Sequence, residues 1–267
     1  MSPLGDRLAR TRQEERAALV GYLPAGFPSA DGALAAVRAL VEGGADVVEV
    51  GLPYSDPVLD GPVIQRAVDT ALRGGVTPKD VFRTVEAAAD AGAPALVMTY
   101  WNPVERIGPE RFAADLAAAG GSGVILPDLP PEEAGAWLAA AERSGLDSVF
   151  LVAPSSSEER IAAVCAAATG FVYAASLMGV TGVRSAVSGS AAELVRRTKQ
   201  HTDLPVCVGL GVSTPGQAAE VARFADGVIV GTAFVRGVLD ARDEQAGADA
   251  VRALAGRLAA GVRSGRG

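Results

Sequence analysis

The stretch VVEVGLPYSDPVLDGP, residues 47–62, opens as a short apolar run rich in β-branched residues, with Glu49 inside it. It then enters a turn-rich segment that carries two more carboxylates, Asp56 and Asp60. Burying an ionised carboxylate costs several kcal/mol or forces a large pKa shift, so Glu49 needs a reason to be there. Runs of the same kind recur along the chain: AALVGY at 17–22, ALVMTY at 95–100, GVILP at 123–127, SVFLVA at 148–153, FVYAAS at 171–176, PVCVGL at 205–210 and GVIVG at 227–231. With DVVEVG at 46–51 they make eight strand candidates. Between them lie Ala-rich segments with helical spacing that close on Gly, such as ADGALAAVRALVEGG, PKDVFRTVEAAADAG and PEEAGAWLAAAERSG.

Eight continuous apolar strands alternating with helices predict an α/β fold, a (βα)8 TIM barrel formed as one domain over residues 1–267. The segment PLGDRLARTRQEER reads as an extra N-terminal helix that closes the barrel bottom. A doubly wound open sheet fits less well, because the first βα turn, GYLPAGFP, has no G-x-G-x-x-G and the pattern never divides into halves. Two connections exceed the usual βα length, from Leu52 to Gly61 and from Leu177 to Gly189, and both follow strands, which places them at the mouth where barrel active sites are built. The pair Ser190 and Glu193 has capping-box spacing and predicts a helix start near Ser190.

Composition removes several classes of function. A net charge of −7 without a basic stripe argues against nucleic acid. No apolar run approaches the length of a membrane span, and the first residues lack the apolar core of a signal peptide, so the expectation is a cytoplasmic protein. His201 is the only histidine, and it falls in a loop pattern, which leaves almost no room for histidine metal sites or Ser-His-Asp triads. Lys79 and Lys199 are the only lysines and both lie in helical patterns, so a Schiff-base lysine has no good candidate. Cys165 and Cys207 lack C-x-x-C spacing and read as reduced core thiols.

Strand alternation turns Val47 and Glu49 to one face and Val48 and Val50 to the other. If the valines pack against helices, Glu49 points into the barrel mouth, where an apolar setting raises its pKa and suits it to proton transfer; the other reading is a structural carboxylate bonded to backbone. Asp56 and Asp60 are ordinary turn residues by themselves, yet their loop hangs from the strand of Glu49 and can carry a second acid across a bound ligand. GLGVSTPG at 209–216 and VGTAF at 230–234 place Gly211, Gly231 and Thr232 after strands seven and eight, the usual phosphate cradle of such barrels, although a glycine turn alone is weak support. Tyr173 shares its face with Phe171 and Ala175 and is either a pocket wall or a core aromatic. YWNP at 100–103 and PDLPPEE at 127–133, with Asp128, are rim or plain turn.

Taken in order, VEVGLPYSDPVLDGPVIQRA, LVMTYWNPV, ILPDLPPEEA, FVYAASLMGVTG, VGLGVSTPGQ and VIVGTAFV closely resemble the alpha subunit of tryptophan synthase, over nearly the whole chain. The resemblance implies a lyase that splits indole-3-glycerol phosphate by a retro-aldol step into indole and glyceraldehyde 3-phosphate without a cofactor or metal. It implies Glu49 as the acid that protonates the indole carbon and Asp60 as the carboxylate at the indole nitrogen. Thr181 then resembles the loop threonine that bonds the aspartate, Gly182, Gly211, Gly231 and Thr232 match the phosphate site, and Tyr173 matches a wall of the indole pocket. A pyridoxal-phosphate beta subunit in an αββα assembly is implied as partner, with Pro53 and Asp56 near the contact. Leu59 in place of a usual alanine, Phe27 in AGFP where AGDP is common, and Thr232 in place of a frequent serine depart from the pattern without removing an acid. Two rivals remain: an isomerase on a phosphate-binding barrel, disfavoured because strands one and five end without acids, and a catalytically silent barrel that only binds and activates a partner.

Overall fold

The computed structural model describes residues 2–176, 184–209 and 211–265. Its strands are β1 (Ala18–Pro24), β2 (Val47–Gly51), β3 (Ala95–Met98), β4 (Gly123–Ile125), β5 (Asp147–Val149), β6 (Leu151–Val152), β7 (Val172–Ala175), β8 (Val206–Gly209) and β9 (Gly227–Val230). All pair in parallel, in the order β5-β4-β3-β2-β1-β9-β8-β7-β6. The two ends of that order, β5 and β6, are one run of chain parted only by Phe150, whose carbonyl accepts the Tyr173 N–H at 3.0 Å. The sheet therefore closes on itself, and the eight predicted strands are all present. The fifth is split where the sequence suggested one unbroken run, because its first half pairs with β4 and its second with β7, the stagger that strand tilt imposes on a closed barrel.

Alternation along the strands sorts side chains into two shells. Val48, Val50, Val97, Val124, Val206, Val208 and Val228 face outward and pack with the helices. Ala18, Val20, Val47, Leu96, Ile125, Val149, Phe171, Cys207 and Ile229 fill the interior together with Leu4 and Leu8. Those two leucines belong to α1 (Pro3–Gln13), begun by Ser2, whose hydroxyl accepts the Gly5 N–H. Spaced four apart on one helical face, they enter the barrel from the N-terminal end of its strands, so the extra helix does close the bottom. Beside it, the Arg16 guanidinium grips Asp46 with two bonds of 2.7 and 2.8 Å, and Asp46 also receives the Leu19 N–H at 2.9 Å.

The helices that bear on the site are α2 (Ala30–Glu42), α3 (Pro62–Arg73), α4 (Pro78–Asp90), α5 (Trp101–Ile107), α6 (Pro109–Ala118), α7 (Gly135–Ser144), α8 (Glu158–Ala167), α9 (Arg184–Thr198), α10 (Pro215–Ala222), α11 (Thr232–Leu239) and α12 (Glu244–Ser264). Three expectations need correction. YWNP is neither strand nor plain turn, because α5 begins at Trp101. PEEAGAWLAAAERSG starts as a 3-10 turn over Pro131–Glu133 before α7. The helix after β7 begins at Arg184, not near Ser190, so the connection is shorter than 177–189. Inside that helix Glu193 turns to Arg196, at 2.6 and 2.8 Å, rather than to a cap.

Candidate active site

Glu49 occupies the middle of β2, in register with Tyr22 of β1 and Leu96 of β3. Only 1% of it is exposed, and its Oε1 has no hydrogen-bond partner among the described residues. That geometry excludes the alternative of a carboxylate held fully by backbone amides. Burial alone pushes its pKa up to about 8, so most of the groups at neutral pH hold a proton. The residue at the mouth is a neutral carboxylic acid.

Above it stands Tyr22. Ala18, Val20 and Tyr22 share the inner face of β1, and a Cβ at Gly51 would strike the Tyr22 hydroxyl, so the phenol lies over the last residue of β2, nearer the mouth than Glu49. Its pKa is driven well above the usual phenol value by burial and then by the charges of Asp60 and Glu49. Both carboxyls therefore bear on one phenol. Asp60 is half-buried on the β2–α3 connection, and burial raises its pKa as well. The Asp60 carbonyl accepts from Gln65 at 2.8 Å, and Gly61 and Pro62 open α3 directly after it. Asp56, by contrast, is exposed and bonds to its neighbour Ser55, while Pro53 is buried.

Tyr173 projects inward from β7, packed against the interior, and its pKa is raised by burial and then by Glu49. A Cβ at Gly209 of β8 would collide with its hydroxyl, which accounts for glycine there. Tyr100 completes the group: its pKa is raised chiefly by burial, with Asp60 among the other contributors. Tyr22 and Tyr100 escaped the reading of the sequence. The first was detectable as the third member of the Ala18, Val20, Tyr22 alternation; the second lies past the end of β3, where alternation gives no guidance.

The helix N-termini at the mouth are not equivalent. Gly211 has φ +72°, a left-handed conformation that disfavours any side chain, and leads into α10. The amides of Ser213 and Thr214, expected to face an anion, instead donate to the Gln217 carboxamide oxygen at 2.9 and 3.1 Å. At α11 the N-cap is Gly231, and among the described residues no side chain caps the first amides around Thr232, which suits them to an anion. Gly231 sits against Tyr22, with a Cβ there 3.4 Å from the ring. Thus Gly231, Thr232, Tyr22, Glu49, Asp60 and Tyr173 share the mouth, Gly211 lies at the adjoining strand end, and Thr181 and Gly182 fall outside the described residues. Asp128 is exposed and accepts the Trp101 N–H at 2.9 and 3.1 Å, starting α5. Among the described residues no group of three His, Cys, Asp or Glu is placed to hold a metal ion.

A closed parallel barrel with a proton-bearing acid beneath a phenol, and a second acid on the β2–α3 connection, marks an enzyme of the (βα)8 class. The chain belongs to the tryptophan synthase alpha chain family, whose sequence model matches residues 8–263. It is 65% identical over 263 residues to the tryptophan synthase alpha chain of Streptomyces avermitilis, covering 98% of this chain and 95% of that one. It is 60% identical to that of Thermobifida fusca, covering 99% of each. Among solved structures, a ligand-free mutant tryptophan synthase from M. tuberculosis superposes with a TM-score of 0.90 at 54% identity, covering 98% of this chain and all of that one. The alpha subunit from Legionella pneumophila gives 0.88 at 33% identity, with 98% of each chain covered. With this family the chain is a lyase.

Proposed function

We propose that the chain, working as one barrel domain, cleaves indole-3-glycerol phosphate to indole and glyceraldehyde 3-phosphate, with Glu49 and Asp60 as its acid–base pair. The observation that carries the reading is the Oε1 of Glu49, without a hydrogen-bond partner among the described residues, on a buried acid held neutral at the mouth. Breaking a bond between a ring carbon and its side chain requires the ring to leave with an electron pair, so the ring carbon must first gain a proton. Glu49 donates it and becomes a carboxylate. Asp60 holds the ring N–H, whose nitrogen carries the positive charge that results. The ionised Glu49 then accepts the proton of the adjacent glycerol hydroxyl; the carbon–carbon electrons return to the ring, and the carbon that bore the hydroxyl becomes the aldehyde. Glu49 ends as it began.

The amides of α11 suit the substrate phosphate, with Gly231 and Thr232 in contact, Gly211 beside them, and Gly182 assigned to the same site by the family pattern alone. Tyr173 lines the ring pocket, and the family pattern assigns Thr181, outside the described residues, to bond Asp60. Indole passes to a beta subunit in a cytoplasmic αββα assembly. No described helix is long and apolar enough to cross a membrane, in keeping with that setting. Indole release from indole-3-glycerol phosphate, measured with and without a beta subunit, tests the assignment: Glu49→Gln and Asp60→Asn each fall 10²- to 10⁴-fold while remaining folded. Turnover near that of the unaltered chain in either variant overturns the role of that residue.

A further inference from the structure

Residues 53–59, the flap that ends on Asp60, are tied to the rest of the protein by few polar contacts among the described residues. Leu52 at the root donates to the Met98 carbonyl at 3.0 Å, and Gln65 fixes the Asp60 carbonyl from the far side. Between them the Ser55 hydroxyl bonds only to the neighbouring Asp56. The one outside group that hydrogen-bonds this segment, among the described residues, is the Tyr100 hydroxyl. It accepts the Leu59 N–H at 2.9 Å, and the Val58 amide bears on the same oxygen. Side-chain burial does not substitute for that bond at the tip, since Val58 is 78% and Leu59 58% exposed. The Tyr100 ring is itself braced by Tyr54 at the flap root, centroid to centroid 5.5 Å.

We infer that Tyr100 is a positioning residue for the lyase reaction: its hydroxyl pins the flap so that the Asp60 carboxylate stays turned toward Tyr22 and the space above Glu49. This rests on the reading of Asp60 given above. The residue preceding Asp60 is held through its main chain, which also explains why leucine is tolerated at position 59: its N–H is used, and its side chain faces solvent. A phenolic oxygen that accepts amide protons keeps its own O–H to donate, and of the carboxyls that bear on it Asp60 contributes most. Asp60 acts most strongly when the ring nitrogen carries charge, so a loosened flap costs more in turnover than in substrate binding.

The test is Tyr100→Phe in the full chain, assayed with the beta subunit and followed by amide hydrogen exchange. Exchange at the Leu59 amide rises at least about tenfold because its acceptor is gone, and kcat for indole release falls about tenfold or more while KM moves less. In the background of Asp60→Asn, Tyr100→Phe produces little further loss, because no carboxylate remains to be positioned. Unchanged Leu59 exchange, an unchanged kcat, or a full multiplicative loss in the double variant overturns the inference. An active Asp60→Asn variant sinks the role of Asp60 instead, and the exchange at Leu59 still decides whether the pin exists.

Discussion

Glu49 is a group whose folded pKa, about 8, stands above its value of 4.5 in a solvated chain. The unfolded chain therefore releases this proton at lower pH than the folded one. The sign follows directly: the acid costs nothing to stability below pH 4.5, and folded stability drains away as pH rises through 8, by up to about 5 kcal/mol. Glu49→Gln, which cannot ionise, is predicted to melt above the unaltered protein at pH 9 and to lose most of that advantage at pH 5, as thermal melts at the two values will register. Catalysis needs the proton that stability tolerates. The rate is predicted to decline above pH 8 as Glu49 ionises, and to decline on the acid side at a pH above 3.8 as Asp60, raised by burial, takes up a proton. A pH–rate profile of kcat/KM checks both limbs.

At the scale of elements, what could be read in advance divides by the range of the forces concerned. β2 was legible because its alternation is local: Val48 and Val50 against Glu49 decide a face within five residues. The division of the fifth strand at Phe150 was not, since it depends on which neighbours β5 and β6 meet across the barrel. Ser190 and Glu193 carried a valid local signal that a longer helix overrode. Tyr100 was invisible for another reason: its role exists only through Leu59, 41 residues away in sequence. Among the loops at the bottom, the grip of Arg16 on Asp46 is nearly dry, with side chains 14% and 6% exposed. Replacing Arg16 by Met leaves Asp46 buried with a charge and without its cation, and a loss of about 3 kcal/mol in denaturant unfolding is predicted.

For the molecule as a whole, the barrel keeps stability and chemistry at opposite ends. Leu4 and Leu8 fill the interior beside Ala18 and Val47, while Glu49, Tyr22 and Asp60 lie toward the other rim. Leu8→Ala is predicted to cost about 2 to 5 kcal/mol in unfolding and to leave kcat of the folded protein within about twofold, which melts and indole assays on the same sample will separate. The family resemblance assigned acids and a phosphate end; it did not indicate that the Ser213 and Thr214 amides before α10 bond to Gln217, while no described side chain caps α11.

The stopper formed by α1 fills the floor of the barrel with Leu4 and Leu8. On the proposed reading, freed indole cannot drain through that floor and leaves toward the rim that carries Asp60. A partner that receives it without loss to the surrounding water is then predicted to be moored at that rim before the carbon–carbon bond is cut.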